Sequence, residues 1–422
     1  MKNFITAFLS LLIFSFAGCS KQPAKPTLEF WTLQLSPTFD NYFNALVKEY
    51  ETQHPEIHVR WVDVPYDAAV QKLLASIAAG NGPDVVNLSS DFLSRFYYMN
   101  AFVDFAAFTS KETLASYFPN ALNVCQYEGK TIAVPWYLNT YVLIYNKKFL
   151  HDAGFTEQDV PRTFVQLASF VKTYKDRTGK FALFWNIGKD SYLPTMLESE
   201  GVPMTNADVT KANFNSLKGI ALVDEWVNLY RGGYLQRESV INRGSTVVEA
   251  YQSGQVAMIF TGPVFLRRIH DNAPEIYQET GVVPSVVGAA GKQDLATMAL
   301  SVLASGKHPK EAVDFALFVT NAKNQTAFSK IETTYPSVTE ALKDSFFTQN
   351  DGTLETEARI VGAEELPAAF QLGSYKQHPD YVHLHDIFDE AIQNACLGRM
   401  TTKEALDNAA AKWNVILSQP LR

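Results

Sequence analysis

The chain has 422 residues, enough for two lobes with a core each, and its 47% hydrophobic and 19% charged content describes a folded globular protein rather than a disordered one. A formal net charge of −8 without a long basic run argues against nucleic acid as a partner. Three cysteines are too few for a disulfide scaffold.

The first residues, MKNFITAFLSLLIFSFAGCS, place a lysine before an apolar run, Phe4 to Ala17, that is shorter than the ~20 residues of a membrane-spanning helix but matches a signal-peptide core. The run ends Phe16-Ala17-Gly18-Cys19, small residues before a cysteine. This resembles the lipobox of bacterial lipoproteins, which implies cleavage after residue 18 and a lipid on Cys19 as the membrane anchor. A plain secretory signal with an incidental Cys19 is the alternative. Residues 19–26 carry two prolines and no apolar periodicity, as a tether should. Cys125 and Cys396 read as buried small hydrophobes rather than a pair.

Thr27 to Thr32 is a short apolar strand. Ser36 as N-cap and Pro37 in a first turn predict a helix to His54, with Phe39, Tyr42, Phe43, Leu46, Val47 and Tyr50 on one face. An alternating strand (57–62), an amphipathic helix stopped by Gly80 and a buried strand (82–88) follow. The β-α-β-α-β order implies parallel strands covered by helices. The pattern recurs: a strand from Tyr141, a helix ending at Gly179, a strand at 180–185, a helix stopped at Gly232, a strand at 256–260 and a helix after Thr261-Gly262-Pro263. A helix opens at Pro309, and Thr401 with Glu404 has capping-box spacing for the last one. The fold class is α/β.

Catalytic and cofactor signatures are missing. GAAGK (288–292) fails as a phosphate loop, because Val286 stands at its first glycine and Gln293 at its Ser/Thr. No H-E-x-x-H, C-x-x-C or G-x-S-x-G occurs. Three histidines near Asp386 (378–386) read as a loop and first helical turn rather than a metal site, so neither metal nor cofactor is expected. Paired acids such as Glu364-Glu365 read as surface carboxylates, not as a glycosidase pair.

Aromatic residues make up 13% of the chain. A sugar offers hydroxyls at its rim and C–H groups on its faces, so its site needs flat rings and convergent polar groups. Trp31 and Trp185 fall at expected strand ends and Trp136-Tyr137 follows Pro135, with Gln34, Asn139 and Asn186 nearby. Ligands of open α/β sheets bind outside the carboxyl ends of strands. Trp61, Trp226 and Trp413 lie in helix or strand stripes and are assigned to the core.

The stretches AAGNGPDVVNLSSD, GKTIAVPWYLNTYVLIYNKKFL, YQSGQVAMIFTGP, GVVPSV and ACLGRMTTKEALDNAAAKW, in this order, resemble the bacterial extracellular solute-binding proteins of the carbohydrate class, family 1, the family of maltose-binding protein. The resemblance covers essentially the whole mature chain. It implies a type II periplasmic-binding-protein fold with two lobes joined by three crossings, near Asn139, Thr297 and Tyr335. The N-terminal lobe would comprise 27–138 plus 298–333, and the C-terminal lobe 139–297 plus 334–422. It also implies ligand contacts at Ser90, Asp91, Asn139, Gly262, Pro263, Thr334 and Tyr335. Where the family often has Gly-Pro-Trp, this chain has Gly262-Pro263-Val264, which implies a smaller or differently shaped ligand. The implied activity is binding, not catalysis. A monomer would close on a mono- to oligosaccharide by hinge motion and deliver it to the permease of an ABC importer. Other cargo (glycerol phosphate, polyamine, compatible solute), a secreted glycoside-active enzyme and a surface adhesin are the rivals.

Overall fold

The computed structural model describes residues 25–241 and 247–420. The expected signal segment, Cys19 and all but the last two residues of the tether lie outside them. Among the described residues no helix is long and apolar enough to cross a membrane.

Two sheets organise the chain. The first runs in the order Tyr335–Pro336, Val134–Thr140, Gln293–Val302, Val85–Ser89, Thr27–Leu33, His58–Val64, with Ala369–Phe370 added beside Gln293–Asp294. The strand starting at Thr27 is parallel to both of its neighbours, as the β-α-β-α-β pattern requires, and Gln293–Val302 runs antiparallel between Val85–Ser89 and Val134–Thr140. The second sheet has the order Thr280–Pro284, Val142–Asn146, Val256–Thr261, Phe181–Leu183. Each sheet is covered on its faces by helices, and the two lobes have separate apolar cores. Trp226 and Trp413 are buried in one of them, and Trp61 stacks on Phe43 at 4.8 Å in the other.

Local signals account for most element ends. Gly179 closes Phe164–Thr178 with φ 69°. Thr401 and Glu404 form the expected reciprocal cap on Thr402–Leu417. Cys125 and Cys396 are buried and unpaired. Ser36 does not cap a helix: the helix is Asp40–Gln53, and the Ser36 N–H donates to Asp63 Oδ2 at 3.2 Å. That carboxylate also accepts from Thr32 Oγ1 and the Leu35 N–H, so one acid organises the turn after the first strand and outcompetes the local cap. The histidine stretch is likewise helical from Tyr381, and Asp386 pairs with Lys189 at 2.6 Å.

The crossings differ in detail from the expected boundaries. Asn139 and Thr140 still belong to the first sheet, and the chain enters the second at Val142. All of Gln293–Val302, including residues expected on the far side of Thr297, belongs to the first sheet. Tyr335 and Pro336 pair with Leu138 and Tyr137 in the first sheet, beyond the boundary expected at Thr334. The chain then forms Leu354–Glu365, whose buried Ala358 packs with Ile144 and Val282 of the second sheet. At the hinge, Tyr335 donates its hydroxyl to the Arg359 carbonyl (3.1 Å), and a Cβ on Gly362 would come within 2.7 Å of Thr140 Oγ1 as well as colliding with that tyrosine hydroxyl. Gly362→Ala is therefore expected to lower stability by about 1–3 kcal/mol, read as a shift of the urea midpoint.

Candidate interlobe site

Strand direction decides which residues can meet. In the first sheet, three parallel strands end at Leu33, Val64 and Ser89, so Gln34, Tyr66 and Asp91 emerge at one end. The antiparallel partners bring Asp294, Asn139 and Thr334 to the same end, since Met298 pairs with Ser89, Leu295 with Thr140 and Tyr335 with Leu138. In the second sheet, Val142 pairs with Thr261 and Pro284, and Leu183 with Met258. The ends Thr261-Gly262-Pro263, Pro284-Ser285 and the stretch after Leu183 therefore stand beside Val142, just past the first crossing, and face the first sheet. The two sets of ends define a cleft.

Several expected residues do not offer a ring or a polar group to this cleft. Trp31 lies inside its strand, not at its end, and is 4% exposed; its Nε1 donates to Glu29 Oε1, and the Lys72 ammonium sits 4.6 Å from its ring centre. Trp136 is fully buried, stacked on Phe328 at 5.3 Å with Phe30 and Phe43 around it. Trp185, two residues past its strand, is 4% exposed and packed against Phe164, Trp226 and Tyr192. The expectation that indoles form sugar platforms is corrected for all three. Indole is the largest apolar side chain: neighbouring rings claim Trp136 and Trp185, and an apolar cluster with Lys72 over its ring claims Trp31. Tyr335 also points away, towards the hinge helix. Tyr137 is 9% exposed, with one side against Trp136 and Phe328.

Gln34 is exposed with φ 54°, its N–H held by the Val64 carbonyl. Ser90 is buried beside Asp91, and the Ser89 hydroxyl caps the turn by accepting from the Asp91 N–H at 3.3 Å. This turn leads directly into the helix Leu93–Tyr98, whose N-terminal dipole favours an acid there. Asn139 is half-buried, and Thr334 Oγ1 is buried without a hydrogen-bond partner. Gly262 is half-buried and Pro263 buried in the turn after Thr261.

The groups that converge on Asp91 are ones the sequence did not single out. Gln371 Nε2 donates to its Oδ1 at 2.5 Å and Lys376 Nζ to its Oδ2 at 3.2 Å. Asp294 accepts from the Leu372 N–H at 3.0 Å. Burial raises the Asp294 carboxyl above its ordinary range, with the Lys376 ammonium pulling against that shift. Tyrosines surround this charge group. Burial pushes the Tyr141 hydroxyl up to about 12, with nearby Asp294 adding to it, and raises Tyr66 and Tyr192 too. Tyr66 is the most open of them, 39% exposed, with its ring 6.1 Å from Phe92. Tyr141, Tyr192, Ser285, Gln293, Asp294 and Leu372 line a cavity of about 10 Å³, room for about one water, where residues of both lobes meet. Farther along the cleft, burial lifts Glu332 to about 7 while Arg267 pulls it down.

Tyr66 could have been found by applying the strand-end rule to every aromatic, since it follows Val64-Pro65. Lys376 and Gln371 carried no such signal; they lie 285 and 280 residues from Asp91 in the chain.

A family model described as bacterial extracellular solute-binding protein matches residues 45–356. Among solved structures, a putative oligosaccharide periplasmic-binding protein from Synechococcus sp. MITs9220 is 32% identical, with a TM-score of 0.85 over 93% of this chain and 99% of that one. Similar curated proteins include a galactooligosaccharide-binding protein of Bacillus subtilis, 23% identical over 88% of this chain and 85% of its own. An sn-glycerol-3-phosphate-binding periplasmic protein of Pectobacterium atrosepticum is 22% identical over 89% and 87%.

Proposed function

The chain belongs to the bacterial extracellular solute-binding proteins, with the two-lobed fold of that family, and from that premise we propose that it captures an uncharged saccharide between its lobes. The observation that carries this is the chemistry of the facing strand ends. A carboxylate (Asp91), an amide (Asn139) and unpartnered or accessible hydroxyls (Thr334, Tyr66, Tyr141) stand together with tyrosine rings. Such a set matches a ring with hydroxyls at its rim and C–H groups on its faces. Tyrosine takes the platform role first expected of tryptophan, and Val264 gives the turn after Pro263 no ring of its own.

The mechanism is closure. A solute that contacts both lobes binds the closed form better than the open one, and only that difference moves the equilibrium. No reaction is assigned to the chain. A phosphate-bearing cargo is the weaker reading, because Lys376, the cation beside Asp91, is already paired with it and Asp294 stands close by. Lipid on Cys19 would tether the protein to the outer side of a membrane, and the closed monomer would deliver its solute to an ABC permease.

Calorimetry against galacto- and malto-oligosaccharides, monosaccharides and glycerol 3-phosphate tests the reading. Saturable binding of a saccharide at about micromolar Kd is expected. Binding of glycerol 3-phosphate alone, or of no sugar, removes it.

A further inference from the structure

We propose that Lys376 is a specificity-determining residue, a built-in counter-ion for Asp91 that holds the lobes closed and restricts the cleft to uncharged solutes. Lys376 stands on a strap, residues 371–378, that crosses the cleft. The strap begins at the first lobe, where Ala369–Phe370 pairs with Gln293–Asp294 and the Asn120 amide donates to the Leu366 carbonyl at 2.9 Å. It is then fastened to the second lobe. Tyr375 is 1% exposed, its hydroxyl 2.6 Å from His385 Nδ1 and its ring 5.1 Å from Trp413. The Gly373 N–H donates to Glu198 Oε2 at 2.5 Å, at a backbone φ of 101° that a side chain would resist.

Tyr375 therefore ties the adjacent Lys376 to the second lobe, while its partner Asp91 belongs to the first. Opening the cleft must stretch or break that ion pair. Ser94 Oγ adds a second tie by donating to the Lys376 carbonyl at 3.2 Å. The pair is more than a surface bridge: the lysine side chain is 22% and the aspartate 31% exposed. Burial disfavours the ammonium, but Asp91 and Asp294 outweigh this and hold it above its usual range.

The same charges filter solutes. An anion entering the cleft would stand beside two carboxylates, and its natural partner Lys376 is already engaged. A cation would compete with an ammonium covalently held in place, which therefore acts at high effective concentration. A neutral hydroxyl conflicts with neither, and can use the lone pairs of Asp91 and the protons of Lys376 that remain free.

Two measurements on the full chain separate this from the saccharide reading, on which only the choice of solutes rests. The first is X-ray scattering without sugar. Salt reaches and screens even this partly buried pair, so the wild type is expected to open as NaCl rises from about 0.05 to about 1 M. Lys376→Met should scatter as the open form at both concentrations, and Lys376→Arg should restore the wild-type response. Identical profiles for wild type and Lys376→Met at both salts overturn the proposal. The second is competition among galactose, galacturonate and galactosamine by calorimetry. Wild type should prefer galactose, and Lys376→Met should shift at least about tenfold towards galactosamine, or about 1.4 kcal/mol. An unmoved preference overturns the filter. A wild type that opens with salt but takes no saccharide overturns the sugar reading and leaves the counter-ion standing.

Discussion

Trp136→Ala should cost about 3–5 kcal/mol of folding stability, the range for truncating a fully buried large aromatic. Its ring fills the centre of an aromatic cluster with Phe30, Phe43 and Phe328, so removal leaves a cavity that these rigid rings cannot close. Equilibrium unfolding in urea would read the loss as a lower midpoint at unchanged slope. The indole N–H has no hydrogen-bond partner, so Trp136→Phe removes an unmet donor along with some volume, and should cost clearly less than alanine. Measured well below its unfolding temperature, Trp136→Ala should retain saccharide affinity within a few-fold. A large affinity loss at unchanged stability would mean that the ring faces solute rather than core.

Asp91→Ala should behave in the opposite way. Asp91 is the acid at the first lobe's strand ends that Gln371 and Lys376 of the strap both reach, and hydrogen bonds to a charged group contribute about 1.5–3 kcal/mol each. Losing one of them to a sugar hydroxyl would weaken binding about 10- to 100-fold. Alanine also leaves Lys376 without its main counter-ion, which favours opening and adds to the loss. Asp91→Asn keeps the shape and one acceptor and should fall between wild type and alanine. Calorimetry of both variants alongside their melting curves checks this. Affinity at the wild-type level in Asp91→Ala would remove this residue from the site.

The two residues show what kind of information a sequence carries about a site. Asp91 was reached through the family resemblance, and the structure sets it after a buried strand, Val85–Ser89, in a turn that Ser89 caps. The turn itself rests on local signals. Trp136 was misread by the same local logic. Its position after Pro135 suits a turn, yet it lies inside the strand Val134–Thr140, and side-chain alternation points its ring into the core. Tyr66 also meets the strand-end rule, following Val64-Pro65, and was equally legible. No reading of the residues around 371–377 could have assigned Lys376, since its meaning comes from Asp91.

By itself, the sequence determined the alternation of strands and helices, the parallel start of the first sheet and the capped last helix, together with the buried state of Cys125 and Cys396. These follow from hydrophobic periodicity, capping and turn chemistry, which act over a few residues. Only the tertiary structure decided which strand ends face one another, which aromatics are spent on the core, and that a lysine 285 residues downstream neutralises the cleft's acid. Those outcomes depend on strand register, on competition between rings for buried volume and on charges brought together by the closing of two lobes. None of these is a property of a short stretch of chain.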